Sequence, residues 1–472
     1  MTGIYPQSQV EVDGTWYALA RSAGDRKVLV VRGNAQGFEG ERQGDALICP
    51  LTPANAAALR AWLPWLRPTL LGLQPSFGFG DRLGLATPGH VRACRGVAPL
   101  RPYFAQQSVR ENARTGRTPQ QVLDDATWGL FQEGWRDPWG ADADHLKTPE
   151  DVDTFVAAGY TFYTVDPGDF VDHSASTAPP AAVLEKVHAL PWDALEDTPE
   201  DMECRYLGRS FDLGDFALTF DRPLLYRAAA KYGRAIAHTA RMYRHIAGRL
   251  GGDRFELEVS VDETKTPTSP EEHWYIASEL KRLEVRWVSL APRFEGRFEK
   301  GVDYIGDPDT FATGFARHVA IAQALGPYKI SLHSGSDKLT VYPIVARLSR
   351  GLVHVKTAGT SYLEALRTVA QVDPAFFREI LAFARTRYRT DRASYHVSAR
   401  LTQVPAPKSL DDAALLGLFE QPDARQVLHV TFGSVMGRFG ERLLATLRAH
   451  EEAYSAHLET HLRRHLVLLV NR

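Results

Sequence analysis

The stretch Phe255–Pro270, FELEVSVDETKTPTSP, decides how the chain is read. It alternates: Phe255, Leu257, Val259 and Val261 share one face, and Glu256, Glu258, Ser260 and Asp262 share the other. A period of two belongs to a β-strand, here with one apolar and one carboxylate-lined side. Ser269 then predicts a helix N-cap, with Pro270 in the first helical position and the helix running from Glu271 to Leu283. The unit is strand, polar loop, helix, with acids aimed at one place. Carboxylates gathered on an enclosed face repel one another. They are tolerated there only beside water, Lys or Arg, or a metal ion.

The same unit recurs on both sides of this stretch. Strand-like runs begin at Leu70 (LLGLQPSFGFGD), Pro102 (PYFAQQSVREN), Gly140 (GADADHLK) and Thr161 (TFYTVDPGD). After the opening stretch come Val285 (VRWVSLAPRFE), Tyr328 (YKISLHSGSDK) and Leu352 (LVHVKTAGTS). Nearly every run leads into a helical pattern, such as the one capped by Thr118 and Pro119 or the one spanning Pro308 to Leu325. Eight alternating units imply a parallel sheet, and over roughly 300 residues they fit an α/β fold of the (β/α)8, TIM-barrel type. Residues 1–68 read as a small N-terminal α/β appendage and 69–374 as the barrel. An insertion over 171–250 follows the fourth strand and is placed as a lid over the barrel mouth. Residues 375–472 read as a mostly helical region packed outside the barrel.

Composition narrows the function. The chain has 472 residues, 44% hydrophobic and 24% charged, with a formal net charge of −2, so it carries no basic footprint for nucleic acid. No apolar run reaches the length of a bilayer span, and the N-terminus lacks the pattern of a secretory signal. The three cysteines, Cys49, Cys94 and Cys204, show no CxxC spacing and suit a reducing cytoplasm. The Gly-rich run GFGDRLG lacks both the P-loop Lys-Ser/Thr and the GxGxxG register, so a phosphate cradle is not assigned to it.

In a barrel of this type the active site lies where the strands end. The ends here are polar: Asp142, Asp144 and His145 on the third strand, Asp166 and Asp169 on the fourth, Glu258, Asp262 and Glu263 on the fifth. Arg293 and Glu295 follow on the sixth, His333, Ser334 and Asp337 on the seventh, His354 and Lys356 on the eighth. Alternation turns Lys329, Ser331, His333, His354 and Lys356 inward. Two histidines and several carboxylates from different strands suit a divalent cation that takes mixed nitrogen and oxygen ligands, Zn²⁺, Mn²⁺, Co²⁺ or Ni²⁺. A structural ion-pair network with Lys329, Arg293 and Lys356 is the other reading of the same acids. His90, His238, His318 and His396 sit in helical or peripheral patterns and are read as structural.

The motifs FAQQSVRENARTGRT, LDDATWGLFQEG, GADADHLK, FELEVSVDETKTPTSP, YKISLHSGSDK and HVKTAGTSYLEA resemble the tagaturonate/fructuronate epimerase family from Leu70 to His465. That resemblance implies a metal-dependent barrel enzyme interconverting D-tagaturonate and D-fructuronate, with some relatives acting on D-tagatose and D-fructose. It implies Asp144 as base, Glu258 as the opposing acid or base, and His145 and His333 as metal ligands. A further ligand is expected from the loop after the sixth strand, at Glu299 rather than Glu295. Arg293, Lys356 and Lys338 are candidates for a substrate carboxylate, and Gln107, in FAQQSVREN, for substrate binding. The two sugars differ at a carbinol carbon two bonds from the ketone, whose hydrogen no simple enolate acidifies. A retro-aldol route, with a metal as Lewis acid and two carboxyls exchanging the proton, meets that difficulty; abstraction through successive enediols is its rival. A neutral-ketose 4-epimerase, a metal-dependent sugar aldolase and a non-catalytic sugar-binding protein are the alternative functions.

Overall fold

A computed structural model describes residues 3–22 and 26–470. Met1, Thr2 and the last two residues of the HLRRHLVLLVNR run therefore lie outside the described residues. Eight strands close into a barrel: β1 Ser76–Gly80, β2 Arg101–Ser108, β3 Gly140–Leu146, β4 Phe162–Val165, β5 Glu256–Ser260, β6 Ser289–Ala291, β7 Lys329–Leu332 and β8 Val353–Thr357. Each pairs in parallel with its neighbours in chain order, and β8 returns to β1. This is the (β/α)8 arrangement expected from the alternation.

The helices start where local chemistry tells them to. Thr118 with Gln121, Thr148 with Asp151, and Ser269 with Glu272 each form a reciprocal capping box ahead of a Pro-initiated helix. Such a cap contributes about 1 kcal/mol to its helix. The outward faces of the strands, among them Leu257, Val259, Ile330, Leu332, Val353 and Val355, are buried in the main core cluster. That leaves the polar faces for the barrel interior.

The interior is layered, and the layers separate acids that the sequence groups together. A strand rises ~3.3 Å per residue, so residues two apart occupy successive levels. At the N-terminal level Glu256 accepts from the Tyr103 hydroxyl at 3.0 Å and from the Gly72 amide. At that level too, Ser76 Oγ meets His354 Nδ1 at 2.9 Å and Lys329 Nζ at 3.0 Å. Glu258 lies one level higher, and Asp262 lies at the mouth. Glu256 and Glu258 on β5 and Asp262 just beyond it therefore face three levels of the barrel, not one place.

The first part of the Gly-rich run, Gly78–Gly80, is the end of β1, and the rest is a loop in which Asp81 accepts from the amides of Leu83, Gly84 and Ala86. A Cβ at Gly78 would overlap the Gln106 carboxamide, and one at Gly80 would lie 2.6 Å from the Ala358 Cα. The helix Arg222–Leu250 packs between helices Pro149–Ala158 and Pro270–Arg282. It thus takes the fourth place in the outer ring and does not lie over the mouth. The short elements before it, from Gly168–Phe170 to Ala217–Thr219, form the excursion after β4.

At the N-terminal end, Thr15–Arg21, Lys27–Arg32 and Ala46–Pro50 form the centre of a six-stranded antiparallel sheet. Glu451 ties this sheet to the final helix through Arg21 (2.6 Å) and Lys27 (2.5 Å). That helix, Glu451–Val470, packs against helix Thr87–Cys94 on the outside of the barrel. No helix among the described residues is long and apolar enough to cross a membrane.

Candidate active site and cation centre

At the C-terminal mouth, His145, Asp262 and His333 each offer a ligand atom, and these atoms lie within 4.8 Å of one another. Three strands deliver them. Alternation alone would put Asp144 and His145 on opposite faces of β3. A register shift against β4, with His145 at φ 54°, brings both to the mouth. Left-handed backbone at a residue with a side chain is strained and persists only where its surroundings impose it. Ser334, directly after His333, has φ 51°.

Each histidine has a carboxylate behind it. His145 Nδ1 lies 3.3 Å from Asp166 Oδ2, and His333 Nε2 lies 2.7 Å from Glu258 Oε1. Pairing of this kind fixes ring orientation and leaves the other nitrogen to a metal. The other nitrogen of His333 supports the fit: Nδ1 lies 3.0 Å from Asp262 Oδ1, yet it is buried without a satisfied hydrogen bond. Ring nitrogen and carboxylate are close but not aimed along a mutual bond, as expected of two ligands that converge on a third body.

Beneath this group Lys356 binds three carboxylates at once: Asp142 at 2.8 Å, Asp144 at 2.8 Å and Glu258 at 2.9 Å. Thr164 donates to Asp142 Oδ1 (3.0 Å) and Glu258 Oε1 (3.3 Å), and Ser289 donates to Glu258 Oε2 (2.6 Å). Burial works upward on all three acids. For Asp142 it wins, and the carboxyl is pushed up to about 7. For Asp144, Lys356, His145 and His333 together outweigh burial and hold the carboxyl well below its usual range. Glu258 is held low against burial by Lys356 and His333. Burial lowers the two imidazoles, but the acids beside them prevail: His145 rises to about 9, driven by Asp144 and Asp166, and His333 to about 10, driven by Asp262 and Glu258.

The charge arithmetic is lopsided. Asp142, Asp144, Asp166, Glu258 and Asp262 face the buried Lys356 ammonium, two imidazoles and Lys147, which lies 3.9 Å from Asp166. The site demands positive charge, from protons on the rings or from a divalent cation.

The structure sorts the expected residues. Asp144, His145, Glu258, His333 and Lys356 are brought together. Glu299 is not: its Oε2 accepts from Ser398 N (2.8 Å), Ser398 Oγ (2.7 Å) and Gln426 Nε2 (2.9 Å), so the loop after β6 is turned toward the C-terminal helices. Asp262 is the carboxylate whose oxygen lies within ligand-like spacing of His145 and His333. Lys338 is not free for substrate, because its ammonium donates to the carbonyls of Glu299 (2.8 Å), Val302 (2.6 Å) and Ser336 (2.9 Å). Gln107 pairs with Ala143 on β3, and its buried carboxamide has no hydrogen-bond partner at either atom among the described residues. Arg293 is held by its backbone, its amide donating to Thr268 Oγ1 (3.0 Å) and its carbonyl accepting from the Thr268 amide (2.8 Å).

A second group, Asp337, His461 and His465, has ligand-like spacing but a different use. His465 Nε2 already accepts the Asp337 amide (2.9 Å) and its Nδ1 donates to His461 O (3.0 Å), which uses both ring nitrogens. Arg425 lies 2.7 Å from Asp337. These contacts lock the final helix to the loop that carries His333.

Barrel topology and a mouth rich in histidine and carboxylate together define a (β/α)8-barrel enzyme with a candidate cation centre. The model of the tagaturonate epimerase family UxaE matches residues 5–469. A tagaturonate/fructuronate epimerase of Thermotoga maritima is 42% identical over 475 residues, covering 99% of this chain and 96% of that protein. The native crystal structure of the fructuronate-tagaturonate epimerase UxaE from Cohnella laeviribosi superposes with a TM-score of 0.94 at 38% identity, over 99% of this chain and 96% of that one. A glycerol complex of the same enzyme gives 0.93 at 38% identity, with the same coverage. The chain belongs to the tagaturonate epimerase family.

Proposed function

We propose that this protein interconverts D-tagaturonate and D-fructuronate at the mouth of its barrel, with a divalent cation held by His145, Asp262 and His333. The observation that carries the reading is the convergence of these three ligand atoms beside Asp144, above a buried ammonium shared by three carboxylates. A cation bound there would act as a Lewis acid toward the oxygens of the ketone and its neighbour. Mn²⁺, Co²⁺, Ni²⁺ and Zn²⁺ all suit two imidazoles and a carboxylate. The substrate is a small sugar acid, and the free thiols of Cys49, Cys94 and Cys204 suit a cytoplasmic setting.

The chemistry follows from the substrate. Counting from the hydroxymethyl end, the ketone is C2 and the inverted carbinol is C4. Asp144 is ionised and reaches the mouth, so it can accept the proton of the C4 hydroxyl. As that proton leaves, O4 becomes a carbonyl and the C3–C4 bond breaks. Its electron pair passes into the C2–C3 enediolate. The C4 aldehyde turns, C3 attacks its other face, and O4 recovers a proton. No net oxidation occurs. Lys356 joins Asp144 to Asp142 and Glu258, and burial raises the Asp142 carboxyl above its usual range. Glu258 serves here by orienting His333, because all its hydrogen bonds are made inside the barrel.

The experiment is a proton NMR time course with D-tagaturonate and Mn²⁺ or Ni²⁺, with D-tagatose in parallel and an EDTA control. Fructuronate appearing only with metal supports the reading. Faster conversion of tagatose moves the substrate to neutral ketoses, and accumulation of three-carbon products points to an aldolase. In D₂O the retro-aldol route returns product without deuterium on C3 or C4; deuterium there replaces it with the enediol route.

A further inference from the structure

The uronate carboxylate needs a cationic partner, and two of the lysines expected for it are committed elsewhere. Lys338 is consumed by three carbonyls, and Lys356 is outnumbered by carboxylates. A different group of donors lies at the end of β8. There the helix Thr360–Val372 begins with Gly359 as N-cap and no side-chain cap. The first N–H groups of a helix have no intrahelical acceptor, and the positive end of the helix dipole stands behind them.

Three side chains close over this helix start. His429, from helix Pro422–Val430, is 1% exposed, and neither ring nitrogen has a partner. It can approach only because residue 359 is glycine: a Cβ there would overlap His429 Nε2. Arg82 is also 1% exposed. It stacks 3.9 Å over Phe432 and donates to Glu111 Oε1 through Nε at 2.9 Å and through Nη2, while Nη1 has no acceptor. Lys300 places Nζ 2.7 Å from Ser334 Oγ, and among the described residues it has no carboxylate within ion-pair distance. His429 Cδ2 lies 3.5 Å from where a Cβ on Gly301 would stand, beside Lys300, and Phe432, under the Arg82 guanidinium, follows His429 by three residues, so the three belong to one cluster.

Ser334 follows His333, so this cluster adjoins the cation centre. Arg82 pairs with Glu111 and Arg110 with Glu263, while the Lys300 ammonium donates to the Ser334 hydroxyl. Buried donors without acceptors cost free energy, which an anion would recover.

We infer that Lys300, Arg82 and His429, above the start of helix Thr360–Val372, bind the C6 carboxylate of the substrate and set the preference for uronates over neutral ketoses. This rests on the epimerase reading and adds a consequence to it. After the C3–C4 bond breaks, the C4–C6 fragment is held by its carboxylate. The aldehyde then presents its other face by rotation about C4–C5 without leaving the site.

The test uses the full-length protein with Mn²⁺ and two probes, L-glycerate, which has the C5 configuration of the C4–C6 fragment, and glycerol, which lacks the carboxylate. Calorimetry compares the wild type with Lys300→Met and His429→Asn. The wild type is expected to bind L-glycerate more tightly than glycerol, and each variant to lose about 10- to 100-fold of that preference. The ratio of kcat/KM for D-tagaturonate to that for D-tagatose falls alongside, chiefly through KM. A wild type without preference for L-glycerate, or two folded variants that retain it, overturns the inference. A wild type that binds L-glycerate in this way yet converts no tagaturonate overturns the epimerase reading and leaves the anion subsite standing.

Discussion

The Nε2 of His333 lies 2.7 Å from Oε1 of Glu258, and the two side chains are 4% and 0% exposed. A carboxylate so placed fixes which face of the imidazole meets the cation. It separates Glu258 from Asp144, which contacts Lys356 but also opens to the mouth.

Glu258→Gln and Asp144→Asn should therefore fail differently. Loss of an outer partner weakens metal binding about 10- to 100-fold, so Glu258→Gln should recover much of its turnover in excess Mn²⁺. Asp144→Asn removes the group that takes the hydroxyl proton and should lose about 10²- to 10⁴-fold in kcat at any metal concentration. Epimerisation rates across a Mn²⁺ titration distinguish the two; equal rescue of both would assign them one role.

Asp262→Asn and Glu299→Gln separate the observed cluster from the loop after β6. Metal content after dialysis should fall in Asp262→Asn and stay at the wild-type level in Glu299→Gln. The second variant instead loosens the contact with Ser398 and Gln426 and should lower Tm. Metal loss confined to Glu299→Gln would return the third ligand to that loop.

Lys356→Met would leave Asp142, Asp144 and Glu258 without their shared cation. Removing one partner of a buried ionic group costs about 3–5 kcal/mol, which urea unfolding can measure. The loss should shrink toward acidic pH. Without the ammonium, burial raises these carboxyls in the folded state, so their destabilising effect is absent below the unfolded carboxyl range and grows as pH rises through the elevated values. A cost that is constant with pH would refute this account.

Metal binding should release protons. His145 titrates near 9 and His333 near 10 in the metal-free protein, so at pH 8 both rings are charged, and about two protons leave as a cation takes their lone pairs. Calorimetry in buffers of different ionisation enthalpy counts them. Stability follows the same linkage: both values are raised, so their contribution is complete below about 6.5 and is lost as pH climbs through 9 and 10. Chelated protein should lose Tm over that window, and Mn²⁺-loaded protein should lose less. A Tm independent of pH from 6.5 to 10 under chelation would contradict the charge assignment.

The barrel was legible because its signals are local. Alternation in FELEVSVDE, capping pairs such as Ser269 with Glu272, and eight recurrences of strand and helix depend on residues a few positions apart, and backbone geometry converts such spacing directly into structure. The inward polar faces of β5, β7 and β8 follow from the same period. Glu258, His333 and Lys356 were within reach for that reason, Asp144 and His145 through the resemblance carried by GADADHLK, and Asp262, on the Glu258 face, could have been chosen by the same period.

Only the tertiary structure decided the rest. A register shift and a left-handed His145 turn two adjacent residues into one site against the alternation. Glu299 is drawn away by Ser398 and Gln426, about a hundred positions along the chain, and Lys338 by the carbonyls of a loop folded over it. His429 reaches the mouth from a helix beyond the last barrel strand because Gly359 leaves room for its ring. The sequence by itself determined a barrel, its helix starts and the polar character of its mouth, since these rest on periodicity and nearest neighbours. Which polar groups meet across the mouth was set by closure of the chain, because burial and charge pairing act through space between segments whose separation in sequence carries no signal.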